Sequence, residues 1–299
     1  MSKILGVDTS TIDNISGLGT GSGSITPVPA TTDTGIVMCN ANSPVSKPFS
    51  GAELLDYANP AHMFQLSDMT GVVHMTYNPS YFYGALKSNG EFYVGSAQAG
   101  YLSGLSTSNQ SNAQNNGGLF LSLSGVAKVV THVQGFLAIK TNGTLWWSGQ
   151  IGNILNSAAV GGGSTQINNG WGQVGSDTDW HDIDSYSGYP YQAIAIKGAA
   201  GSRYLYASGY GTGYALGQGN TSSLKVWTRV KSSSGTDLNE SMSMCKISYA
   251  SCLAISDSGK LFSWGENGYG VLGQGNTTDV QYATQVGTAT NWDNCWVNR

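Results

Sequence analysis

Five hairpin-like segments recur along the chain at a nearly constant interval. Each has a short apolar strand, a polar turn that ends in Gly, and an apolar or aromatic strand. The five copies are PATTDTGIVMCNAN (29–42), ALKSNGEFYVG (85–95), LAIKTNGTLWWSG (137–149), AIAIKGAAGSRYLYASG (193–209) and LAISDSGKLFSWG (253–265). Their turn glycines, spaced 55, 53, 58 and 58 residues apart, are Gly35, Gly90, Gly143, Gly201 and Gly259. A constant interval of this size indicates one supersecondary unit that is repeated.

Each unit is predicted to be an antiparallel β-sheet. The pairs Asn89-Gly90 and Asn142-Gly143 are strong hairpin signals, because both central residues of such a turn favour positive φ. A further strand-like segment precedes three of the hairpins: GVAKVVTHV (125–133), DWHDIDSY (179–186) and SMSMCKISY (241–249). Units of this length suit four-stranded blades, so the sequence predicts an all-β propeller.

The two ends of the repeat region are predicted to complete each other. The segment NWDNCWVNR (291–299) resembles the strand that opens a unit, whereas the first copy, near Pro29, lacks that strand. Pairing of these segments would close a ring of five four-stranded blades and hide its sheet edges. Four blades are the alternative if the first copy is not a true repeat. The predicted organisation is an extended arm (1–24) followed by the propeller (25–299).

Composition agrees with this fold and restricts the partners. Only 10% of the residues are charged, glycines number 42 and aromatic residues make up 10%, which disfavours a helical protein. The net charge of −4 argues against nucleic acid as a partner. No apolar run is long enough for insertion into a membrane, and the first residues lack the apolar stretch of a secretory signal. The four cysteines form no Cys-x-x-Cys pair and are expected to be free thiols.

The last two units resemble a known repeat. SWGENGYGVLGQGNTTDVQYATQV (263–286) and SGYGTGYALGQGNTSSLKVWTRV (208–230) are similar to the repeat of the regulator of chromosome condensation family. In the weaker units Leu102-Ser103-Gly104 and Ile154-Leu155-Asn156 replace its Leu-Gly. The resemblance implies a β-propeller that acts through protein–protein contacts on its faces, as exchange factors, chromatin binders and β-lactamase inhibitors of the family do. Members usually have seven blades, and the basic tail of the chromatin binders is missing here.

The N-terminal arm resembles the start of tailed-phage virion proteins. Its sequence ILGVDTSTIDNISG leads into a Gly/Ser-rich linker (16–24). The apolar residues expected to dock into a neighbouring subunit are Ile4, Leu5, Val7, Ile12, Ile15 and Leu18. A sticky segment on a flexible tether can serve this purpose. The alternative is a disordered N-terminus with apolar residues by chance.

No pattern in the chain predicts a catalytic residue, a metal site or a cofactor. The Gly-x-Gly fragments lack a following Gly-Lys-Ser/Thr, and the histidines His62, His74, His132 and His181 have no ligand-like spacing. Asp182 and Asp184 are the closest acidic pair, and a solvated pair is commoner than a glycosidase dyad. We therefore expect a protein that is not an enzyme.

Tyrosines crowd the unit around Gly201. Tyr189, Tyr210 and Tyr214 lie beside Gly or Pro in predicted loops and are the candidates for surface binding, since tyrosine buries a large area with few rotors. Tyr204 and Tyr206 alternate along a strand and are expected to pack between blades.

The leading functional hypothesis is a non-enzymatic virion protein of a tailed phage. Its propeller would be displayed in several copies on the capsid or tail for assembly, decoration or host-surface binding. The partners would be other virion proteins and a glycan or protein of the host surface. One alternative is a soluble, cytoplasmic regulator or inhibitor that binds a protein through a propeller face. A second, disfavoured alternative is a glycan-active enzyme that uses Asp182 and Asp184.

Overall fold

The chain folds into successive antiparallel sheets. The computed structural model describes residues 71–78, 82–96, 105, 120–132, 134–156, 159, 166–186 and 188–297, with short backbone strands between residues 3 and 66. Within these residues the one helical element is a short 3-10 turn, Thr212–Tyr214. No helix among them is long and apolar enough to cross a membrane. The predicted all-β propeller is confirmed.

The strands form four complete blades preceded by smaller sheets. Blade 1 contains β6 (Val72–Asn78), β7 (Phe82–Lys87), β8 (Phe92–Ser96) and β9 (Phe120–Leu123), after the shorter strands β1 (Lys3–Ile4), β2 (Val7–Asp8), β3 (Ile36–Asn40), β4 (Ala52–Leu54) and β5 (His62–Leu66). Blade 2 contains β10 (Val126–His132), β11 (Gly135–Lys140), β12 (Leu145–Gln150) and β13 (Gln166–Gln173). Blade 3 contains β14 (Trp180–Ser185), β15 (Gln192–Lys197), β16 (Tyr204–Gly209) and β17 (Leu224–Arg229). Blade 4 contains β18 (Met242–Ser248), β19 (Ser251–Ser256), β20 (Leu261–Gly265) and β21 (Val280–Gln285).

The four blades share one topology and one irregularity. In each, the spatial order of the strands follows the chain, whereas residues 36–66 form a three-stranded sheet in the order β3-β5-β4. The first strand of every blade bulges at its second residue, and that residue is exposed: Val73, Ala127, His181 and Ser243. A bulge increases the local twist of a strand. Its recurrence shows that the blades are copies of one unit.

Two of the predicted turn glycines tie their blade to the next. Gly90, Gly143, Gly201 and Gly259 all have positive φ, between 75° and 82°, and Gly35 lies outside the described residues. The prediction of positive φ at both residues of the Asn-Gly pairs is wrong for Asn89 and Asn142, because only the glycine of each pair has positive φ. The carbonyls of Gly90 and Gly143 accept the N–H of the residue that opens the next first strand, Val126 and Trp180, at 2.9 and 3.0 Å, and the carbonyl of Gly259 accepts the N–H of Trp292 at 3.0 Å. The turns at Gly90 and Gly143 therefore also fix the start of the following blade.

Side-chain donors on the third strands join neighbouring blades. Ser208 Oγ donates to the carbonyl of Ile154 at 2.5 Å, and Trp264 Nε1 donates to the carbonyl of Ala215 at 2.8 Å. Both donors precede the glycine that ends their strand, and both acceptors precede a buried leucine in the loop of the preceding blade. Blade 1 also buries a loop leucine, Leu105. Leu102, which the sequence analysis matched to the leucine of the repeat's Leu-Gly, lies outside the described residues.

Residues 291–297 lie against blade 4 and form no strand. Cys295 and Val297 pack on Leu253, Ile255 and Leu261. Together with the bond from Trp292 to Gly259, this places the segment where the first strand of a next blade would begin. Among the described residues no backbone pairing joins it to the sheet of residues 36–66. The propeller thus has four complete blades, with that sheet as the candidate fifth.

Substitution of Gly143 tests the link between blades 2 and 3. A Cβ at Gly143 would collide with the Thr178 carbonyl, whereas a Cβ at Gly201 would meet nothing within 4 Å, although φ is positive at both glycines. We expect Gly201→Ala to lower the free energy of unfolding by about 1 kcal/mol and Gly143→Ala by about 3 kcal/mol. Urea unfolding followed by circular dichroism measures both. Equal losses would contradict the steric role of this contact.

Candidate functional site

One end of blades 3 and 4 is rich in tyrosine. The register pairs Ser185 with Ala193 and Gly209 with Leu224, so the loops 186–191 and 210–223 lie at the same end of blade 3. The corresponding loops of blade 4 are 249–250 and 266–279. Seven tyrosines lie in these four loops, which we name the tyrosine-rich end: Tyr186, Tyr189, Tyr191, Tyr210, Tyr214, Tyr249 and Tyr269.

Three of these side chains contact one another. Tyr189, Tyr191 and Tyr210 form a triad with ring centroids 5.6 to 5.8 Å apart, and Tyr189 remains 64% exposed. Lys225 Nζ lies 4.8 Å from the ring centroid of Tyr210 and donates to the carbonyl of Asn153 in blade 2 at 2.6 Å. Partial burial lowers the pKa of Lys225. The triad is thus held in place by contacts that reach the neighbouring blade.

Blades 3 and 4 share the tyrosine-rich end. The rings of Tyr186 and Tyr249 meet edge to face with centroids 5.8 Å apart. Among the described residues, the non-glycine residues with positive φ are Tyr214 (61°) and Tyr249 (53°). A side chain in this conformation costs about 1–2 kcal/mol, and such strain collects at functional sites. The two tyrosines with positive φ therefore lie at the same end of the blades as the contacting tyrosine rings.

The loop 266–279 is ordered by one buried asparagine. Asn267 Oδ1 accepts the N–H of Leu272 at 3.0 Å, and Nδ2 donates to the carbonyls of Asn276 and Thr278 at 2.9 and 3.0 Å. The loop carries Tyr269, which is 73% exposed. A large side chain is therefore presented to solvent on a loop whose backbone is fixed.

The structure brings the predicted surface tyrosines to one end but separates them. Tyr189 and Tyr210 belong to the triad, whereas Tyr214 lies in the adjacent 3-10 turn. The sequence had not singled out Tyr249 and Tyr269. The signal for Tyr249 was its place directly after the first strand of blade 4, as Tyr186 follows that of blade 3. Their role in binding stays a prediction.

Asp182 and Asp184 are structural groups at the contact between first strands. Asp182 forms an ion pair with Lys128 and accepts the N–H of Cys245 at 3.0 Å, and Asp184 accepts the N–H of Ile247 at 3.0 Å. They are therefore neither the solvated pair that the sequence suggested nor a free dyad. Burial raises the pKa of Asp184, and the charge of Lys246 opposes that change.

The buried cysteine thiols are not arranged for nucleophilic or metal chemistry. Cys245, Cys252 and Cys295 are free and buried, and burial raises the pKa of each thiol, that of Cys295 to about 11. Thiols of this kind are inert at neutral pH. Across the described residues, no three His, Cys, Asp or Glu side chains are grouped so that they could hold a metal ion.

The comparisons show an RCC1 repeat in the last unit and a β-propeller fold. The sequence model of the regulator of chromosome condensation (RCC1) repeat matches residues 258–292, which contain the best copy of the repeat. Human WBSCR16 is similar over 78% of this chain and 57% of its own, with a TM-score of 0.58 and 21% identity.

A second similar propeller is Prp20p of Saccharomyces cerevisiae, studied for its binding to Gsp1p and histones. It is similar over 78% of this chain and 55% of its own, with a TM-score of 0.54 and 12% identity. The same yeast protein bound to Kap60 gives a TM-score of 0.55 at 12% identity, over 77% of this chain and 53% of its own. These likenesses show the fold. The chain spans little more than half the length of the propellers it matches.

Replacement of Asp182 tests its structural role. Asp182→Ala leaves the charge of Lys128 and the N–H of Cys245 without their partner, so we expect a loss of about 3–5 kcal/mol in the free energy of unfolding. The control, Asp237→Ala, removes an exposed pairing with Arg229 at 3.7 Å and should cost less than about 0.5 kcal/mol. Chemical unfolding measures both values. Similar small losses in both variants would contradict the assigned role.

His132 is expected to make the fold sensitive to acid. Burial lowers its pKa from 6.5 to about 4, and its Nδ1 accepts the N–H of Gln134 at 3.3 Å. Because the unfolded chain binds this proton more readily, stability is lost as the pH falls from 6.5 towards 4, by about 2 to 3 kcal/mol at pH 4.5. His132→Gln should remove most of this loss between pH 7.5 and 4.5, measured by urea unfolding. The exposed His181 is the control, and an equal effect of His181→Gln would refute the assignment.

Proposed function

We propose that this chain is a non-enzymatic binding protein, a soluble regulator that holds a partner protein at the tyrosine-rich end of blades 3 and 4. The observation that carries the proposal is the convergence of seven tyrosines from four loops on one end of two joined blades. Two of them, Tyr214 and Tyr249, occupy strained backbone positions there.

The chemistry of this end suits a protein surface. Tyrosine buries a large area on binding and loses little rotamer entropy, which is why it is enriched at energetically dominant interface positions. Tyr189 and Tyr269 are the most exposed of the set. The loops beneath them are held by Asn267 and Lys225, so little ordering is required when a partner binds.

The similar propellers support the same interpretation. Prp20p has binding properties towards Gsp1p and histones, and a further crystal structure contains the same yeast protein together with Kap60. A propeller of this fold can therefore serve as a scaffold for protein binding. The carboxylates of Asp182 and Asp184 are committed to backbone amides, which favours binding over catalysis here.

The role in a phage virion remains a separate prediction from the N-terminal sequence. Of the six apolar residues of the arm, Ile4 and Val7 lie in the paired strands β1 and β2, and Leu5, Ile12, Ile15 and Leu18 lie outside the described residues. The comparisons favour the soluble regulator over the virion protein, because they connect the chain with RCC1-like propellers.

Affinity capture with matched variants tests the proposal. The immobilised full chain is expected to retain a stoichiometric partner protein from a lysate of the cells in which it is naturally produced. The double variant Tyr189→Ser, Tyr269→Ser should retain at least about tenfold less, because truncation of two anchors costs about 1–2 kcal/mol each.

The control is Trp296→Ser, since Trp296 is 78% exposed but belongs to the C-terminal segment. It should capture as much partner as the unaltered chain. Thermal unfolding confirms that each variant is folded. Equal capture by the double variant and the unaltered chain would place the partner elsewhere and refute the proposed surface.

A further inference from the structure

A small pocket lies between blades 2 and 3, towards the end opposite the tyrosines. Its volume is about 320 Å³. It lies beside Trp180 and Lys197, the first residue of β14 and the last of β15, which pair with each other at that end of the blade. The walls that determine its chemistry are Trp180, Tyr206, Val226 and Trp227, with the charged pair Asp177 and Lys197.

Aromatic rings form much of the pocket wall. The ring centroid of Trp180 lies 5.3 Å from that of Trp227 and 6.5 Å from that of Tyr206. Trp180 is buried in the core between blades 2 and 3, so this wall is fixed. Val226 at the edge is exposed. The pocket therefore offers flat apolar surface to a ring-shaped ligand.

The polar groups of the pocket are balanced in charge. Lys197 Nζ lies 2.6 Å from Asp177 Oδ2, and 5.4 and 5.8 Å from the ring centroids of Trp180 and Tyr206. A ligand anion would have to compete with Asp177, and a ligand cation with Lys197. A neutral ligand meets no such competition, and the pair offers it both donors and an acceptor.

Two further donors lie in the same walls. Trp180 Nε1 and Trp227 Nε1 are shielded from water and have no acceptor in the part of the chain that the structure describes. An unpaired buried N–H is costly, so a ligand oxygen that reaches the Nε1 of Trp227, which is only partly buried, would gain a hydrogen bond without displacing an existing acceptor. The pocket therefore favours a ligand that carries several oxygen atoms.

We propose that this pocket binds a single neutral sugar ring. A pyranose has an apolar C–H face that can lie on the indole and phenol rings, and hydroxyl groups that both donate and accept. Its edge would exchange hydrogen bonds with Asp177 and Lys197. The volume lies at the low end of the roughly 300–1,000 Å³ of ligand pockets, which limits the ligand to about one ring. The site is independent of protein binding at the tyrosine-rich end.

Titration of the full chain with neutral monosaccharides tests this assignment. Glucose, galactose, mannose and N-acetylglucosamine are added separately, with calorimetry and intrinsic tryptophan fluorescence as readouts. At least one is expected to bind saturably with a Kd of about 1–10 mM, as suits a small ligand in a small pocket. Benzoate and indole serve as charged and apolar comparison ligands.

Two variants locate the binding. Trp227→Leu should weaken it at least tenfold, and Asp177→Asn, at a half-exposed side chain, should weaken it about fivefold without loss of the fold. Trp296→Leu, which removes an exposed tryptophan elsewhere, should leave the affinity unchanged. The proposal is overturned if no sugar binds saturably, if benzoate or indole binds more tightly than every sugar, or if Asp177→Asn has no effect.

Discussion

The propeller depends on hydrogen bonds that run from a side chain of one blade to the backbone of its neighbour. Ser208 and Trp264 donate to loop carbonyls of the preceding blade, and Asp182 accepts an amide of the following one. A buried backbone group without a partner is costly, so these contacts set the angle and register at which blades can pack. The acceptor of Trp264 is Ala215, directly after Tyr214, and the same bond therefore positions a turn of the tyrosine-rich end.

Because the strands of blades 3 and 4 are antiparallel, successive loops lie at opposite ends of each blade. The two ends therefore carry different residues. At one end the loops include the long segments 210–223 and 266–279, and tyrosines are presented there over a fixed backbone. At the other, a small pocket lies beside Trp180 and Lys197. A blade can thus support a broad surface for a macromolecule and a small site for a single ring without competition between them.

The sequence predicts the parts of this structure that depend on local backbone preference. The turns at Gly90 and Gly143 have positive φ at the glycine, a position that the sequence marks directly, although Asn89 and Asn142 do not have the positive φ that the Asn-Gly pairs predicted. Asp182 and Asp184 were not recognised as structural, because their partners are backbone amides 63 residues away, and every residue type except proline can supply a backbone N–H. The tyrosine triad was found in part: Tyr189 and Tyr210 are flanked by turn residues, but their contact depends on the register of a whole blade.

The use of backbone acceptors at the joints bears on how the repeats can diverge. A backbone carbonyl is present whatever the side chain, so the residue that supplies the acceptor can be substituted without loss of the hydrogen bond. Ile154 and Ala215 occupy the same place, and a hydroxyl in one blade does the work of an indole in the next. This latitude explains how Ile154-Leu155-Asn156 can stand where the repeat has Leu-Gly while the architecture persists. Loops between such joints are open to evolutionary change at little cost to the frame.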